Sequence, residues 1–479
     1  MSKIEIKVVS YLSLTILSIC MCFFFIFYFS FIGGAGNDSS AYKLVAENIL
    51  NGCGVSLSKI GSEICVPHFG GNQGPGYPAF IAFTWLITGH SDFAVRLLQA
   101  FLYSTSIIYL VESVNRYTES FKISLILGII LVISPLHTAW SRFILSECLT
   151  IAGTLWVFAE IIRSLQSKSL RILPIAFAFV FTTFMRLDAI LILFPIIMTA
   201  FFIHRPIDAI KKIIYVGLIF TIPWSGWLTR NYIVGLDNLF QPKLEELINE
   251  TPGVFKWTKT WSTHQYSSIS VFFPIYAYAY DEIVIDGEAY SSNSEKNTVQ
   301  MLLDDLQNHI NKPFPDHIDE GFSQLAQKRI EADPLGYYLI LPLKRTFKFW
   351  VNLNAGYGLP GFDNRLSSQD RLDLINGGIK EKAKMITKYP FIVFSRIFAQ
   401  LWKLALFSGF FIACWISVKD KHFEHRNLTL IVLSFIFARS FVTGAFNLTE
   451  ARFSVTQMPI LELVVVLTML SFFKKNNFK

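Results

Sequence analysis

The stretch YLSLTILSICMCFFFIFYFSFIGGAGNDSSAYKLVAENIL, Tyr11 to Leu50, decides the fold. From 9 to 32 it is almost pure hydrocarbon, long enough to cross a bilayer as a helix, which takes about 20 apolar residues. The start is basic, the run exceeds a signal-peptide core, and no small-residue cleavage site follows cleanly. It therefore reads as a retained first span, a signal anchor. The chain then turns wet within a few residues, and the first acid after the exit is Asp38.

The whole chain repeats that pattern. Of 479 residues, 52% are hydrophobic and only 16% charged, and 46 are Phe. The mean hydropathy is +0.44. A soluble chain carries about 25% charged residues, so this composition gives a polytopic membrane protein. The net charge of +7 sits in short clusters between apolar runs, without a basic stripe that would suit nucleic acid. Apolar stretches near 9–32, 93–113, 122–137, 147–163, 170–185, 189–204, 211–229, 391–417, 428–446 and 455–473 suggest about ten transmembrane helices. The basic connections 115–122, 163–171, 204–212 and 419–426 place themselves and both ends in the cytoplasm. The connections 33–92, 138–146, 186–188, 230–390 and 447–454 then lie outside.

The expected fold is an all-α polytopic membrane protein in three segments. An N-terminal transmembrane module, 1–229, carries the first outer loop, 33–92, with interfacial helices. A mixed extracytoplasmic segment, 230–390, follows, then C-terminal transmembrane helices, 391–479. The run GYPAFIAFTWLITG, 76–89, is too short to span and reads as a helix at the interface. FSQLAQKRIEADPLGYYLILPLKRTFKFW, 322–350, reads as two helices broken at Asp333-Pro334, the second against the interface. Cys20, Cys22, Cys148 and Cys414 read as buried thiols. Cys53 and Cys65, both in the first outer loop, either pair or stay free; spacing alone does not decide.

The outer turns carry the informative charges: Arg142 and Glu147, Arg186 and Asp188, Arg230 and Asn231, Glu450 and Arg452. Each brings an Arg close to an acid or amide, whereas the turns at the other ends do not place acids this way. An ionisable group at the bilayer boundary is costly and reads as functional. The bland alternative for any one Arg is a snorkelling anchor or a local ion pair. Four on one side suit an anion at the interface, such as a lipid phosphate. After Asp38, apolar Ala41, Leu44, Val45, Ile49 and Leu50 suit an amphipathic surface helix, with Asp38 at or near its N-cap. Capping and chemistry are compatible roles for it.

Several motifs stand in a telling order: Asp38 after the first span, GPGYPAF (74–80), Arg96, SPLHTAWSRFILSE (134–147), FMRLDAILILFP (184–195), PWSGWLTRNYIVG (223–235), ADPLGYYLILPLKR (332–345) and EARFSVTQMPILEL (450–463). In this order the chain resembles the glycosyltransferase family 39-like proteins. These are polytopic GT-C enzymes that include protein O-mannosyltransferases and lipid A aminoarabinose transferases. The resemblance implies the GT-C fold, a polyprenyl-phosphate-linked sugar donor, and transfer on the non-cytoplasmic face of the cell (inner) membrane. The acceptor it implies is a lipid, glycan or protein of the cell envelope, lipopolysaccharide among the choices. It also implies that Asp38 is the catalytic base. Many relatives carry two adjacent acids there; here the neighbours are Asn37 and Ser39. Whether one acid suffices or Glu147 completes the site stays open.

Elementary chemistry agrees. Attack of an acceptor hydroxyl on an anomeric carbon needs one base, and a phosphate leaving group needs positive charge rather than an acid. One displacement gives inversion. The expected donor-phosphate ligands are Arg142, Arg186, Arg230 and Arg452. His68, Tyr77, Asp188 and Glu450 are expected at the substrate. Trp140, Trp224, Trp227, Trp257 and Trp261 suit either sugar stacking or an interface belt. No cofactor is required and no metal-ligand cluster stands out, although a divalent cation between Asp38 and the donor phosphate remains compatible. The competing readings are a flippase or transporter, or a polymerase, of lipid-linked glycans.

Overall fold

The run that leads toward Asp38 is one helix, α1 (Lys3–Phe29). The computed structural model describes residues 3–29, 36–68, 74–236, 252–263, 270–271, 274–275, 278–285, 289–351, 379–446 and 451–476. Among them the regular structure is helical, with one isolated antiparallel bridge between Ser56 and Pro67. The all-α polytopic fold expected from the sequence is the fold observed.

After α1 come α2 (Gly36–Leu50), α3 (Gly76–Thr88), α4 (Asp92–Thr118), α5 (Phe121–Ile133), α6 (Glu147–Ser167) and α7 (Ile172–Met185). A 3-10 turn, Leu187–Ile192, leads into α8 (Leu193–Ile203) and then α9 (Pro206–Ile233). Next are α10 (Pro252–Trp261), α11 (Asn293–Gln307), α12 (Asp316–Ala332), α13 (Leu341–Trp350) and α14 (Ile379–Lys388). The described chain ends with α15 (Pro390–Lys419), α16 (Arg426–Phe446) and α17 (Met458–Asn476). Five helices, α1, α4, α6, α15 and α16, are long and apolar enough to cross a membrane. The stretches 121–133, 172–185, 187–203 and 458–471 are apolar but shorter. Nine of the ten expected spans meet these stretches, and the tenth, 211–229, lies on α9 outside both groups.

The chain forms two compact units. The first takes Met1–Leu239, Ala355–Ile436 and Val455–Lys479; the second takes Phe240–Asn354 and Phe437–Ser454. In the first, α6 is the central helix, buried along most of its length against α4 and α7. Its Leu149, Ile151, Leu155, Phe158 and Ile162 are buried in that packing, which within a bilayer stabilises through close van der Waals contact and not through transfer out of water. The glycines of GPGYP are steric necessities. A Cβ on Gly76 would lie 2.6 Å from the Phe184 carbonyl oxygen, so only glycine lets α3 start this close to α7. The starts of α4 and α5 are capped by the side chain just before each: Ser91 accepts from Ala94 N at 3.1 Å and Ser120 from Ile123 N at 3.4 Å.

In the second unit, α10 packs on α12 around Trp257, Val254, Ile318 and Phe322. The break expected at Asp333-Pro334 is where α12 ends, and a π-turn, Gly336–Ile340, leads into α13. α13 exposes Leu343 and Phe347 beside Lys344, the amphipathic face expected of an interfacial helix.

Candidate active site

Asp38 is the third residue of α2 and lies in its first turn. It therefore sits inside the helix rather than at its cap. The buried face of α2 is Tyr42, Val45, Ala46 and Asn48, a rotation from the apolar positions 41, 44, 45, 49 and 50. One helical turn separates Asp38 from Tyr42, so the two share a face. The Tyr42 hydroxyl is 3.5 Å from Ser146 Oγ, the residue that precedes α6. Burial pushes the Tyr42 phenol well above its usual value, with Glu147 adding to the rise, Arg186 opposing it and Asp38 adding further. All three charges thus act electrostatically on that hydroxyl.

Glu147 opens α6 and is 1% exposed; Arg186 follows α7 and is 2% exposed. Arg186 Nη1 donates to Glu147 Oε1 at 2.8 Å. The same guanidinium grips Asp188 with two bonds, Nε to Oδ1 at 3.1 Å and Nη2 to Oδ2 at 3.2 Å. The extended backbone at Arg186 (φ −150°, ψ 124°) breaks the helix and turns the side chain inward. Buried charges persist in a low-dielectric site only when paired and hydrogen-bonded.

Next to this triad, Tyr77 is fully buried, edge-on to Tyr42 at 5.0 Å, and donates to Gln99 Oε1 at 3.1 Å. Gln99 Nε2 in turn donates to the carbonyls of Ser141 and Phe143 at 2.8 and 2.7 Å. These bonds pin the 3-10 turn Thr138–Arg142, and the Arg142 guanidinium lies 4.1 Å from the centre of the Phe143 ring. Arg96, one turn into α4, acts electrostatically on the Tyr77 hydroxyl. Its buried Nε has no hydrogen-bond partner among the described residues. Arg96 stood among the residues carrying the family resemblance but had no assigned role. A cation one turn inside an apolar helix was the signal for it.

Arg230 is engaged with backbone. It donates to the carbonyls of His68 and Val55, both at 2.9 Å, and to Asn231 Oδ1 at 3.0 Å. The Val55 carbonyl lies within the loop closed by the Cys53–Cys65 disulfide, whose Cα atoms are 5.4 Å apart, and that of His68 lies just after it. Asn48 adds two bonds from α2, to the carbonyls of Ser56 and Ser58, each 2.9 Å. His68 meets Arg230 through its backbone oxygen. Of the tryptophans, Trp224 is buried and donates to Thr183 Oγ1 at 3.3 Å, while Trp257 is a core residue of the second unit. Arg452, over the Phe453 ring at 5.4 Å, lies in the second unit, and Glu450 lies outside the described residues.

A second buried network was not anticipated. His137 Nε2 lies 2.9 Å from Glu462 Oε2 on α17, and the Tyr103 hydroxyl is 2.5 Å from His137 Nδ1. Glu462 Oε1 also accepts from Ser134 at 2.5 Å and from Trp402 on α15 at 2.9 Å. Ion pairs occur at the opposite helix ends as well, Arg116–Glu112 at 2.8 Å and Arg171–Glu160 at 3.1 Å. The expectation that acids pair with Arg only in the outer turns is therefore corrected. The cations differ in depth: Arg116 and Arg171 are 56% and 37% exposed, Arg186 2%. Among the described residues, no group of three or more His, Cys, Asp or Glu is placed to hold a metal ion.

An all-helical, multi-pass membrane protein with buried ion pairs where its helices turn is the class that fold and site define. Residues 72–227 match the family model of dolichyl-phosphate-mannose-protein mannosyltransferases, about a third of the chain. Over that segment the chain is similar to that family, a likeness that supports a membrane glycosyltransferase using a lipid-linked sugar donor. It contains Tyr77, Arg96, Arg142, Glu147, Arg186 and Asp188, and leaves Asp38 and Arg230 outside. No curated protein and no solved structure matches the chain.

Proposed function

We propose that the protein transfers a sugar from a polyprenyl-phosphate-linked donor to an acceptor hydroxyl on the extracytoplasmic face of the membrane, with inversion. Asp38 takes the acceptor proton as the new bond to the anomeric carbon forms. The bond from that carbon to the phosphate oxygen breaks, and polyprenyl phosphate leaves. Arg142 and Arg96 supply the positive charge for the departing phosphate. Arg186 is given a different part from the donor ligand expected at first. Held by Glu147 and Asp188, it fixes the wall against which α2 presents Asp38. Arg230 likewise holds the disulfide loop. Glu147 serves Arg186, which leaves Asp38 as the base.

The observation that carries this reading is that Asp38 lies one turn before Tyr42 on α2, and the Tyr42 hydroxyl reaches Ser146, the residue just before Glu147 of the buried Glu147–Arg186 pair. The test is donor turnover by Asp38→Asn in purified protein. Loss of transfer with donor binding retained supports the reading, and normal turnover ends it. Reporter tags at 165 and 300 test the orientation, and finding both on one side of the membrane breaks it.

A further inference from the structure

The second unit contains an open cleft of about 660 Å³, within the size range of small-ligand sites. Its lining combines two aromatics, Trp261 and Tyr337, with two hydroxyls of α11, Ser294 and Thr298, two cations, Lys328 of α12 and Lys344 of α13, and one exposed acid, Asp333, which accepts from Gly336 N. Its floor is held by an ion pair and hydrogen bonds of its own. Arg329 Nε is 2.6 Å from Glu295 Oε1 and Arg329 Nη1 donates to Thr260 Oγ1 at 3.2 Å. Glu295 also accepts the Trp257 indole N–H and the Ser291 backbone N–H, both at 2.9 Å.

The rim is different. Lys328 and Lys344 are exposed and form no ion pair among the described residues. The Trp261 indole nitrogen is buried and has no acceptor among the described residues. Buried donors without partners are rare enough in folded proteins to call for an explanation. A bound group carrying hydroxyl or ring oxygens would supply the missing acceptor. Aromatic rings cover the C–H faces of a sugar, hydroxyls exchange hydrogen bonds with its rim, and free ammonium groups match a carboxylate. We infer that this cleft binds an acidic saccharide. Under the transfer reaction proposed above, on which this assignment of role rests, that saccharide is the acceptor glycan.

The test uses the full chain in detergent, without donor, titrated calorimetrically with tri-galacturonate, uncharged maltotriose and inorganic phosphate. Saturable binding of tri-galacturonate, weakened about tenfold or more in Lys328→Ala/Lys344→Ala, is the expected result. Trp261→Phe, which removes the N–H and keeps an aromatic ring, is expected to weaken it too. Both lysines are exposed, so the double variant is expected to keep the wild-type unfolding midpoint. Absence of saturable binding, or equal affinity in the double variant, overturns the inference. Phosphate or maltotriose binding as tightly as tri-galacturonate overturns the acidic-saccharide assignment. Since no turnover is read, failure here leaves the transferase reading to stand or fall on Asp38→Asn.

Discussion

Arg186 holds two carboxylates at once, Glu147 Oε1 at 2.8 Å from Nη1 and Asp188 Oδ1 at 3.1 Å from Nε. It joins the start of α6 to the turn after α7 with a charge that is 2% exposed. Removing one partner of a buried pair strands the other and costs about 3–5 kcal/mol. Arg186→Met is therefore expected to lower the unfolding midpoint sharply, and Arg186→Met with Glu147→Gln to recover part of the loss. A thermal-unfolding cycle in detergent measures this. Additive losses would mean that the two side chains do not depend on each other.

Asp38 is partly exposed and lies in the first turn of α2. Its carboxylate gains at most about 1 kcal/mol from the helix dipole. A general base contributes about 10²–10⁴-fold to rate. Asp38→Asn is accordingly expected to cut turnover at least 100-fold with little change in unfolding midpoint. A large midpoint shift with modest loss of turnover would instead make Asp38 a structural residue of the helix start.

The apolar helices, α3 among them, and the break at Asp333-Pro334 were legible because hydrocarbon length and proline chemistry are local properties. The residues Glu147, Arg186 and Asp188 were legible too, since charge beside an apolar run stands out in one dimension. Their pairing was not: whether an Arg faces a phosphate or a carboxylate depends on which helix ends meet. Arg230 shows the same limit, as its partners are carbonyls of Val55 and His68, 175 and 162 residues away. His137 and Glu462 are 325 residues apart, and each alone looks like an isolated polar residue in an apolar stretch.

Arg230 and the Cys53–Cys65 disulfide fix the same loop, so they are expected to fail together. A bridge closing a loop with a sequence separation of 12 stabilises by about 3 kcal/mol. In Arg230→Ala, the Val55 and His68 carbonyls lose their donor, and the loop opens more often. Alkylation of Cys53 and Cys65 under mild reductant, followed by mass spectrometry, is expected to speed up several-fold. Unchanged alkylation with weakened donor use would return Arg230 to the phosphate.

Glu295 offers a pH test confined to the second unit. Burial pushes its carboxyl up, but the Arg329 hydrogen bond, with those from Ser291 and Trp257, outweighs it and leaves the value below the ordinary glutamate range. A depressed carboxyl stabilises the fold above its unfolded value, about 4.3. That stabilisation is lost as pH falls through the lower folded value. Glu295→Gln is expected to be less stable than wild type at neutral pH, with the difference shrinking below about pH 4. Unfolding midpoints measured from pH 7 to pH 3 check it, and a constant difference would remove the ion pair from the account.

Glu462 anchors the turn that carries Arg142 from the far side of the sequence. It accepts from Ser134, Trp402 and His137, and His137 is held in turn by Tyr103. A glutamine keeps the shape but brings an N–H₂ toward at least one of these donors, leaving a buried polar group unsatisfied at about 1–3 kcal/mol. The Thr138–Arg142 turn would loosen while Asp38, on α2, keeps its own contacts. Glu462→Gln is therefore expected to raise the KM for the lipid-linked donor more than it lowers kcat, the same direction as Arg142→Ala. Combining the two substitutions should add little to either one, because both act through the position of one guanidinium. Full additivity in KM, or a loss confined to kcat, would separate the Glu462 network from the donor phosphate.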